Sequence, residues 1–435
     1  MGFIETEGID VIPEENRTRG FWKIFTIWAG FAIVITNFLL GSLTLGAGVL
    51  AGLAAAVISI VLIGVLVYFG TKIAAAEGTA GTTAMRAPFG VRGRVIPSLA
   101  MVIATVGWFG VQTGIVAQSS KAILANFGVD VSFALLAGVL GVLMASVAVF
   151  GYRWIEWLNR LAVPIMTVLL ALVVYQIVTQ YSVTLSGAGG GRLSFWAALN
   201  IFPAATAAFL IVAMDYGRYG NPRRPEGPGW GAALAWVIFG IVLAGIGILA
   251  AAAAGTWNPV TIMVELGLGS LGLVLLIAGS WTTNVTNVYA GGIALSQITG
   301  WNRVYMTTVT GLIGTILAIA GIFSYGGILG FLEALTVTLV PTTGILLVHY
   351  YLLERDFDAS DLFERGGRYW YLRGWNPAAV IAWTIGAAYA IQAPDWLVPA
   401  LSSAAIAGGI YYAIKSPVDA WIARRTPTRA TETAD

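Results

Sequence analysis

Apolar residues dominate the chain in long stretches, and polar residues gather in the short segments between them. A stretch of about 20 apolar residues crosses a bilayer as a helix. The pattern therefore predicts an all-α integral membrane protein with twelve transmembrane helices, called spans 1 to 12 below. In chain order they are predicted over residues 22–42, 48–73, 94–120, 131–150, 160–182, 194–216, 230–254, 270–297, 304–322, 327–351, 376–393 and 397–415.

The composition excludes several other classes of protein. Of 435 residues, 58% are hydrophobic and only 10% are charged, whereas about 25% are charged in an ordinary soluble domain. The absence of Cys and the single His argue against a disulfide scaffold and against a zinc or iron–sulfur site. A net charge of +2 indicates no nucleic-acid partner, and no feature of the sequence indicates an obligate protein partner.

The distribution of basic residues tests the number of spans. Cytoplasmic loops of membrane proteins carry an excess of Lys and Arg. With twelve spans and the N-terminus in the cytoplasm, only Lys121 and Arg192 lie outside, which leaves 21 of the 23 basic residues inside. A wrong number of spans would distribute the basic residues over both sides of the membrane. We therefore expect a multi-pass protein of the cell (inner or cytoplasmic) membrane, with both termini in the cytoplasm.

Polar residues interrupt span 1 and span 3 near their middles. In span 1, Thr36 and Asn37 lie one turn before Gly41, and an unwound turn there would free backbone carbonyls. In span 3, Trp108 and Gln112 are four residues apart and share one helix face. An indole beside an amide suits a planar, hydrogen-bonding ligand, while ordinary helix packing is the alternative for both spans.

Span 8 carries the densest group of polar side chains in any span. Between residues 279 and 289 they are Ser280, Thr282, Thr283, Asn284, Thr286 and Asn287. Polar groups inside a bilayer are costly and mark function by default. Thr hydroxyls and freed carbonyls form an oxygen cage for a small cation, and Asn offers both a donor and an acceptor to the edge of a heterocycle.

The order of these interruptions predicts an internal repeat. Spans 1 and 6 each begin a block of five spans, and an odd block must be followed by one of opposite orientation. Pro203 and Thr206 in span 6 predict a second broken helix. The predicted organisation is a cytoplasmic N-terminal tail, inverted repeat 1, inverted repeat 2, a cytoplasmic loop, spans 11–12 and a cytoplasmic C-terminal tail, over residues 1–20, 21–182, 193–352, 353–375, 376–415 and 416–435.

Five stretches of sequence resemble one known family. They cover residues 87–93, 107–112, 215–220, 281–287 and 341–351. Together they are similar to the nucleobase–cation symporter family 1, and within it to bacterial cytosine/purine permeases more than to hydantoin or allantoin carriers. The resemblance implies a leucine-transporter-type five-plus-five fold with broken helices 1 and 6, alternating access, and coupling to sodium or protons.

The resemblance also implies roles for individual residues. Trp108 would stack on the base, and polar contacts would come from Gln112, Asn37, Asn284 and Asn287. The position in span 6 where the family often has an aromatic residue is Thr206 here, with Phe202 and Phe209 a turn to either side. A sodium ion would be held by the hydroxyls of Thr282 and Thr283 and by carbonyls placed at Gly279, Ile33 and Thr36.

Two ionisable residues stand apart from this pattern. Glu333 is the only carboxylate well inside a span, and it is either a hydrogen-bonded packing residue or an acid that couples protons or recognises the base. His349 occupies a position where the family usually has an acid, and we interpret it as a structural hydrogen-bonding residue.

The function predicted from these residues is secondary active import of a nucleobase, cytosine or a purine base, by cation symport. We expect no enzymatic activity and no cofactor, with Na⁺ as the coupling ion and H⁺ as the alternative. The partners are the small-molecule base and the lipid bilayer. A five-plus-five carrier of another small solute, such as a hydantoin, allantoin or an amino acid, is the alternative function.

Overall fold

The structure, a computed structural model, describes residues 11–150, 167–168, 170–181, 191–354 and 361–425. These residues form helices joined by turns, with two isolated β-bridges in the described ranges. Six helices are each long and apolar enough to cross a membrane, and a bent pair makes a seventh such span. The other described helices that match predicted spans are shorter or more polar.

The helices follow the predicted spans in order. The twelve are Phe21–Ala32 with Ile35–Thr44, Val49–Glu77, Val95–Asn126, Phe133–Phe150, Leu170–Gln180, Phe195–Ala205 with Phe209–Gly217, Glu226–Ala254, Gly269–Thr299, Arg303–Ile319, Tyr325–Thr338 with Val340–Val348, Pro377–Gln392 and Pro399–Arg425. Much of the predicted span 5 and parts of the predicted tails lie outside the described residues. Span 12 continues as a helix ten residues beyond its predicted end at 415, where Lys415 pairs with Asp419 one turn on.

Span 1 is broken at Ile33 and Val34, and its two halves meet at an angle of 59°. Val34 has an extended backbone, with φ −128° and ψ 151°. The Asn37 amide donates to the Ala32 carbonyl at 2.8 Å, so it satisfies an acceptor that the broken helix leaves open. The predicted break is confirmed, but it lies just before Thr36 and Asn37, because the second half starts at Ile35 and Asn37 reaches back to the end of the first.

Span 6 is interrupted between Ala205 and Phe209. Pro203 lies inside the first half and removes one backbone donor from it. One turn later, the backbone N–H of Thr206 and its hydroxyl both donate to the Phe202 carbonyl, at 2.9 and 2.6 Å. The helix therefore ends at Thr206, as its polar side chain and the preceding proline predict.

The connecting segments lie alternately at two ends of the bundle. At one end, called the N-terminal side, Ile12 donates its N–H to the Gly78 carbonyl. At the other, called the far side, the Leu193 N–H donates to the Gly46 carbonyl. The segments before span 1 and after span 2 therefore meet at one end, and those after span 1 and before span 6 meet at the other.

The motif at residues 87–93 packs against the loop 361–376 on the N-terminal side of the bundle. Asn376 donates its backbone N–H to the Phe89 carbonyl at 2.9 Å, and the Tyr371 hydroxyl donates to the Ala87 carbonyl at 2.8 Å. Next to it, Arg86 is buried and donates to the Leu362 carbonyl at 3.0 Å. Burial, with a smaller effect of nearby Arg94, lowers the pKa of Arg86 to about 10. The motif thus holds the loop 361–376 onto the start of span 3.

Glycines allow pairs of spans to cross at close range. A Cβ atom at Gly41 of span 1 or at Gly247 of span 7 would overlap the backbone of the other helix. In the same way, Gly292 of span 8 lies against Thr307 of span 9. These crossings make spans 1 and 7 one tightly packed pair and spans 8 and 9 another.

Candidate functional site

Spans 3 and 8 run antiparallel through the centre of the bundle. At the N-terminal side, the Arg94 guanidinium donates to the Gln297 carbonyl at 3.0 Å. Further towards the far side, Gly291 of span 8 lies against Thr105 of span 3, where a Cβ would clash with its hydroxyl. Residue numbers rise along one helix as they fall along the other, so these contacts fix which residues are level.

Asn284 belongs to the interface between these two spans. Its amide nitrogen donates to the Phe109 carbonyl at 3.1 Å and to the Thr113 hydroxyl at 3.0 Å, and the side chain is fully buried. Both bonds hold span 8 to span 3. Asn287, one turn nearer the N-terminal side, is level with Trp108. Its amide nitrogen is buried and has no hydrogen-bond partner among the described residues.

Gln112 connects the middle of span 3 to the broken span 1. Its amide nitrogen donates to the Thr36 hydroxyl at 3.1 Å, and the side chain is 1% exposed. The Gln112 carbonyl oxygen has no partner in the described part of the chain. Because Trp108 lies one turn away on the same face, the two residues form one surface, as the sequence predicts.

Phe331 of span 10 is a residue of this surface that the sequence analysis missed. Its ring meets the Trp108 indole edge to face, with centroids 5.3 Å apart and planes at 84°. The adjacent Gly107 leaves room for the Phe331 ring, which a Cβ there would overlap. A phenylalanine in an apolar helix carries no sequence signal of this contact. We call Thr36, Trp108, Gln112 and Phe331, together with Asn287 at the same level of span 8, the central site.

The oxygen atoms predicted to hold a cation fall into two groups. On span 8, the Thr282 and Thr283 hydroxyls both donate to the Gly279 carbonyl, each at 3.0 Å. These hydroxyl oxygens keep their lone pairs, whereas the carbonyl already accepts two hydrogens. On span 1, the Ile33 carbonyl lies at the break and accepts no hydrogen bond from the described residues. The Thr36 hydroxyl accepts the bond from Gln112, and this bond does not involve the Thr36 carbonyl that is predicted as an ion ligand.

The aromatic residues of span 6 have different environments. Phe202 is fully buried, and its carbonyl takes both bonds from Thr206. Phe209 is half-buried, and its ring makes edge contacts with Phe31 at 5.3 Å and Trp28 at 5.9 Å. Its ring also meets Trp236 at 4.6 Å. Of the two candidates that flank Thr206, Phe209 is the less buried residue.

Glu333 lies away from the central site. It follows Phe331 by two residues, which is about 200° around a helix, and its side chain is exposed in the isolated chain. The structure therefore does not bring this carboxylate to the surface formed by Trp108 and Gln112.

His349 is fully buried at the C-terminal end of span 10, which lies on the N-terminal side of the bundle. Its Nδ1 lies 2.9 Å from the Tyr411 hydroxyl, and its Nε2 lies 3.6 Å from a carboxylate oxygen of Glu354. The contact with Tyr411 ties span 10 to span 12, which agrees with the structural interpretation of His349.

Comparison with known proteins gives matches over nearly the whole chain. A family model described as permease for cytosine/purines, uracil, thiamine, allantoin matches residues 11–412. A hydantoin permease of Microbacterium maritypicum is 25% identical, over 95% of this chain and 88% of its own. A cytosine permease of Escherichia coli (strain K12) is 28% identical, over 84% of this chain and 83% of its own.

The fold also matches solved structures of Mhp1, a nucleobase-cation-symport-1 transporter. The closed form with bound bromovinylhydantoin aligns with a TM-score of 0.79 at 21% identity, covering 99% of this chain and 98% of Mhp1. The inward-facing form aligns with a TM-score of 0.83 at 23% identity, covering 98% and 96%. These matches confirm the predicted twelve-helix fold with five-plus-five repeats.

Proposed function

Because the chain belongs to the family of permeases for cytosine, purines, uracil, thiamine and allantoin, it is a membrane transporter and not an enzyme, and we propose that it imports a nucleobase together with a cation. The substrate would be cytosine or a purine base, and the ion sodium. The protein would lie in the cell membrane, with its N-terminal side in the cytoplasm. On the far side, the described residues include only two basic side chains, Lys121 and Arg192.

One observation carries the assignment of a base to the central site. A buried acceptor, the Gln112 carbonyl oxygen, and a buried donor, the Asn287 amide nitrogen, lack partners in the described ranges, and Trp108 lies level with Asn287. Unpaired buried polar groups are costly, and a ligand that pairs with them recovers that cost. A planar heterocycle offers a donor and an acceptor on its edge and a face for the indole. Amide groups can turn to present either atom, so the pair suits cytosine and purines alike.

The walls of the central site fix the orientation of the base. Trp108 would stack on one face, and Phe331 holds the indole at a right angle. We assign the opposite wall to Phe209 rather than to Thr206 or Phe202, because Phe209 is half-buried and the other two are enclosed within span 6. Asn37 would support the site indirectly, since its amide donates to the Ala32 carbonyl. Asn284 donates its amide to span 3, but its buried Oδ1 has no partner among the described residues and would be available to the base.

The ion would bind where spans 1 and 8 meet. Its ligands would be the Thr282 and Thr283 hydroxyls and the Ile33 carbonyl, while Gly279 positions the two hydroxyls. Sodium is favoured over protons because Glu333 lies on the other side of span 10 from Phe331. An ion that fixes span 1 against span 8 also fixes Thr36, and through it Gln112. Ion and base would then tighten each other's binding by the same factor.

A hydantoin is the second candidate substrate. A relative named hydantoin permease covers 95% of the chain, and a hydantoin is a planar ring with carbonyl and N–H groups on its edge. It would use the same wall and the same two amides.

Thermal stability of the purified protein tests both substrates and the ion. Nucleobases, a hydantoin, allantoin and amino acids are each added in sodium and in an equal concentration of choline. A ligand that binds the folded state raises the melting temperature. We expect a base to do so, with the larger shift in sodium. Equal shifts in both salts would contradict sodium coupling, and stabilisation by an amino acid alone would contradict the nucleobase assignment.

A further inference from the structure

A cavity lies on the far side of the bundle, outside the central site. Its volume is about 250 Å³, and it is enclosed by the end of span 1, the segment before span 6, the loop after span 7 and the start of span 10. We call it the outer cavity. The lining residues that matter to its chemistry are Ser42, Gly46, Arg192, Thr256, Trp257 and Tyr325.

The outer cavity lies directly beyond the central site along two helices. On span 1, Leu43 lines the cavity and is seven residues past Thr36, which is about 10 Å along a helix. On span 10, Tyr325 is six residues before Phe331, about 9 Å in the same direction. A small molecule that approaches the central site from the far side between these helices would meet the outer cavity first.

The uncommitted polar side chains of the cavity are hydrogen-bond donors. The Tyr325 hydroxyl is buried and has no partner among the described residues, and Arg192 lines the same cavity. A guanidinium offers five donors and no acceptor. Ser42 is already committed, because its hydroxyl is 2.7 Å from both the Leu39 and the Trp257 carbonyls. The cavity is therefore suited to a ligand rich in acceptors.

The cavity also has a fixed aromatic wall. The Trp257 ring makes contacts with Tyr325 at 5.5 Å and with Phe323 at 5.9 Å. The bond from Ser42 holds the Trp257 backbone in place. The Arg192 backbone is anchored as well, because its backbone N–H donates to the Gly46 carbonyl at 3.1 Å. A flat ring would therefore find a preformed surface with donors at its edge.

We propose that the outer cavity is a second binding site, for a planar heterocycle that carries two ring carbonyls, such as uracil or a hydantoin. This proposal rests on the proposed function of the chain as a carrier of planar heterocycles. The two carbonyls accept hydrogen bonds from Arg192 and Tyr325 while the ring lies on Trp257. The site favours oxo over amino heterocycles, whereas the turning amides of the central site accept both.

Equilibrium dialysis of radiolabelled uracil against the purified full chain in sodium tests the proposal. The variants are Trp108→Ala for the central site and the pair Arg192→Gln with Tyr325→Phe for the outer cavity. Arg424→Gln with Tyr305→Phe is the matched control, since both of these side chains are exposed and lie elsewhere. The melting temperature without ligand verifies that each variant is folded.

We expect uracil binding to persist in the Trp108→Ala variant. It should be lost when Arg192→Gln and Tyr325→Phe, the outer pair, are combined with Trp108→Ala. The control pair should change nothing, and cytosine should displace uracil only from chains with Trp108. If Trp108→Ala abolishes all uracil binding, or the outer pair has no effect on what remains, the outer site is overturned and the nucleobase proposal stands. If the wild type binds neither uracil nor cytosine, nor a hydantoin, both proposals fail.

Discussion

The Gln112 amide donates a hydrogen bond of 3.1 Å to the Thr36 hydroxyl, and this bond joins the middle of span 3 to the broken span 1. It connects the residue face that carries Trp108 with the helix half that begins beside the Ile33 carbonyl. The proposed base site and the proposed ion site therefore share one polar contact.

Thr36→Val removes the hydroxyl while keeping the shape of the side chain. The Gln112 amide then loses its partner in a buried position, at a cost of about 1–3 kcal/mol. We expect the affinity for the preferred base in sodium to fall about tenfold, which corresponds to about 1.4 kcal/mol. Isothermal titration calorimetry measures this affinity. Thr308→Val on the exposed face of span 9 is the control, and an unchanged affinity in Thr36→Val would remove Thr36 from the site.

Trp108→Ala removes the proposed stacking surface. Base–aromatic stacking contributes about 1–3 kcal/mol per base, so we expect the dissociation constant to rise between fivefold and a hundredfold, whereas Trp108→Phe should lose less. The same titration gives the result. Trp301→Ala is a matched control because this indole is 66% exposed. Wild-type affinity for both cytosine and purines in Trp108→Ala would contradict the assignment.

Thr283→Ala removes one hydroxyl oxygen from the proposed ion site. The affinity for the base in choline should stay the same, and the gain that sodium gives should shrink towards none, because coupling between the two ligands is reciprocal. Base titrations at several sodium concentrations measure this gain. Thr299→Ala is the control, since Thr299 bonds to a carbonyl of the same helix but is exposed. A full sodium effect in Thr283→Ala would exclude its hydroxyl as a ligand.

Glu333→Gln should leave coupling intact. The carboxylate is exposed and lies on the other side of span 10 from Phe331. Uptake into proteoliposomes, driven by a sodium gradient at several external pH values, should match the wild type within a factor of two. Loss of uptake in this folded variant would instead make Glu333 part of the coupling machinery and favour protons.

Arg86→Gln should loosen the loop over residues 361–376. The buried guanidinium bonds the Leu362 carbonyl and lies 4.4 Å from the Phe363 ring centre. Without the guanidinium, trypsin should cut the loop severalfold faster at Arg365, Arg368 or Arg373. Limited proteolysis measures this rate. Arg424→Gln is the control. An unchanged rate of cleavage would mean that Tyr371 and Asn376 hold the loop without Arg86.

The features that the bilayer itself demands could be predicted from the sequence. A spanning helix must be apolar and about 20 residues long, so the number and order of spans followed from hydropathy. The broken helices were predictable because Asn37 and Pro203 disfavour continuous helix. The position of the first break was not, since an Asn side chain can bond backward to Ala32 and move the break upstream.

The composition of the site was less predictable. Trp108, Gln112 and Asn287 were recognisable as polar or aromatic residues in the middle of spans. Phe331 was not, because its contact with Trp108 depends on how span 10 packs against Gly107. Asn284 shows that a polar residue in a span can serve helix packing through one atom, its amide nitrogen, and leave another, its Oδ1, without a partner in the described residues. Only the hydrogen-bond partners in the folded chain separate the two uses.

The close glycine crossings of spans 1 with 7 and 8 with 9 have a mechanical consequence. Helices whose backbones touch cannot slide or bend separately, so each pair behaves as a stiff lever. The two interruptions, at Ile33–Val34 and at Thr206–Ala208, are where the continuous ladder of helical backbone hydrogen bonds is broken. Any opening towards either face would change the backbone at these two interruptions. A methyl group added at Gly41 or Gly292 would clash with the paired helix and so impede that movement, without contacting a ligand.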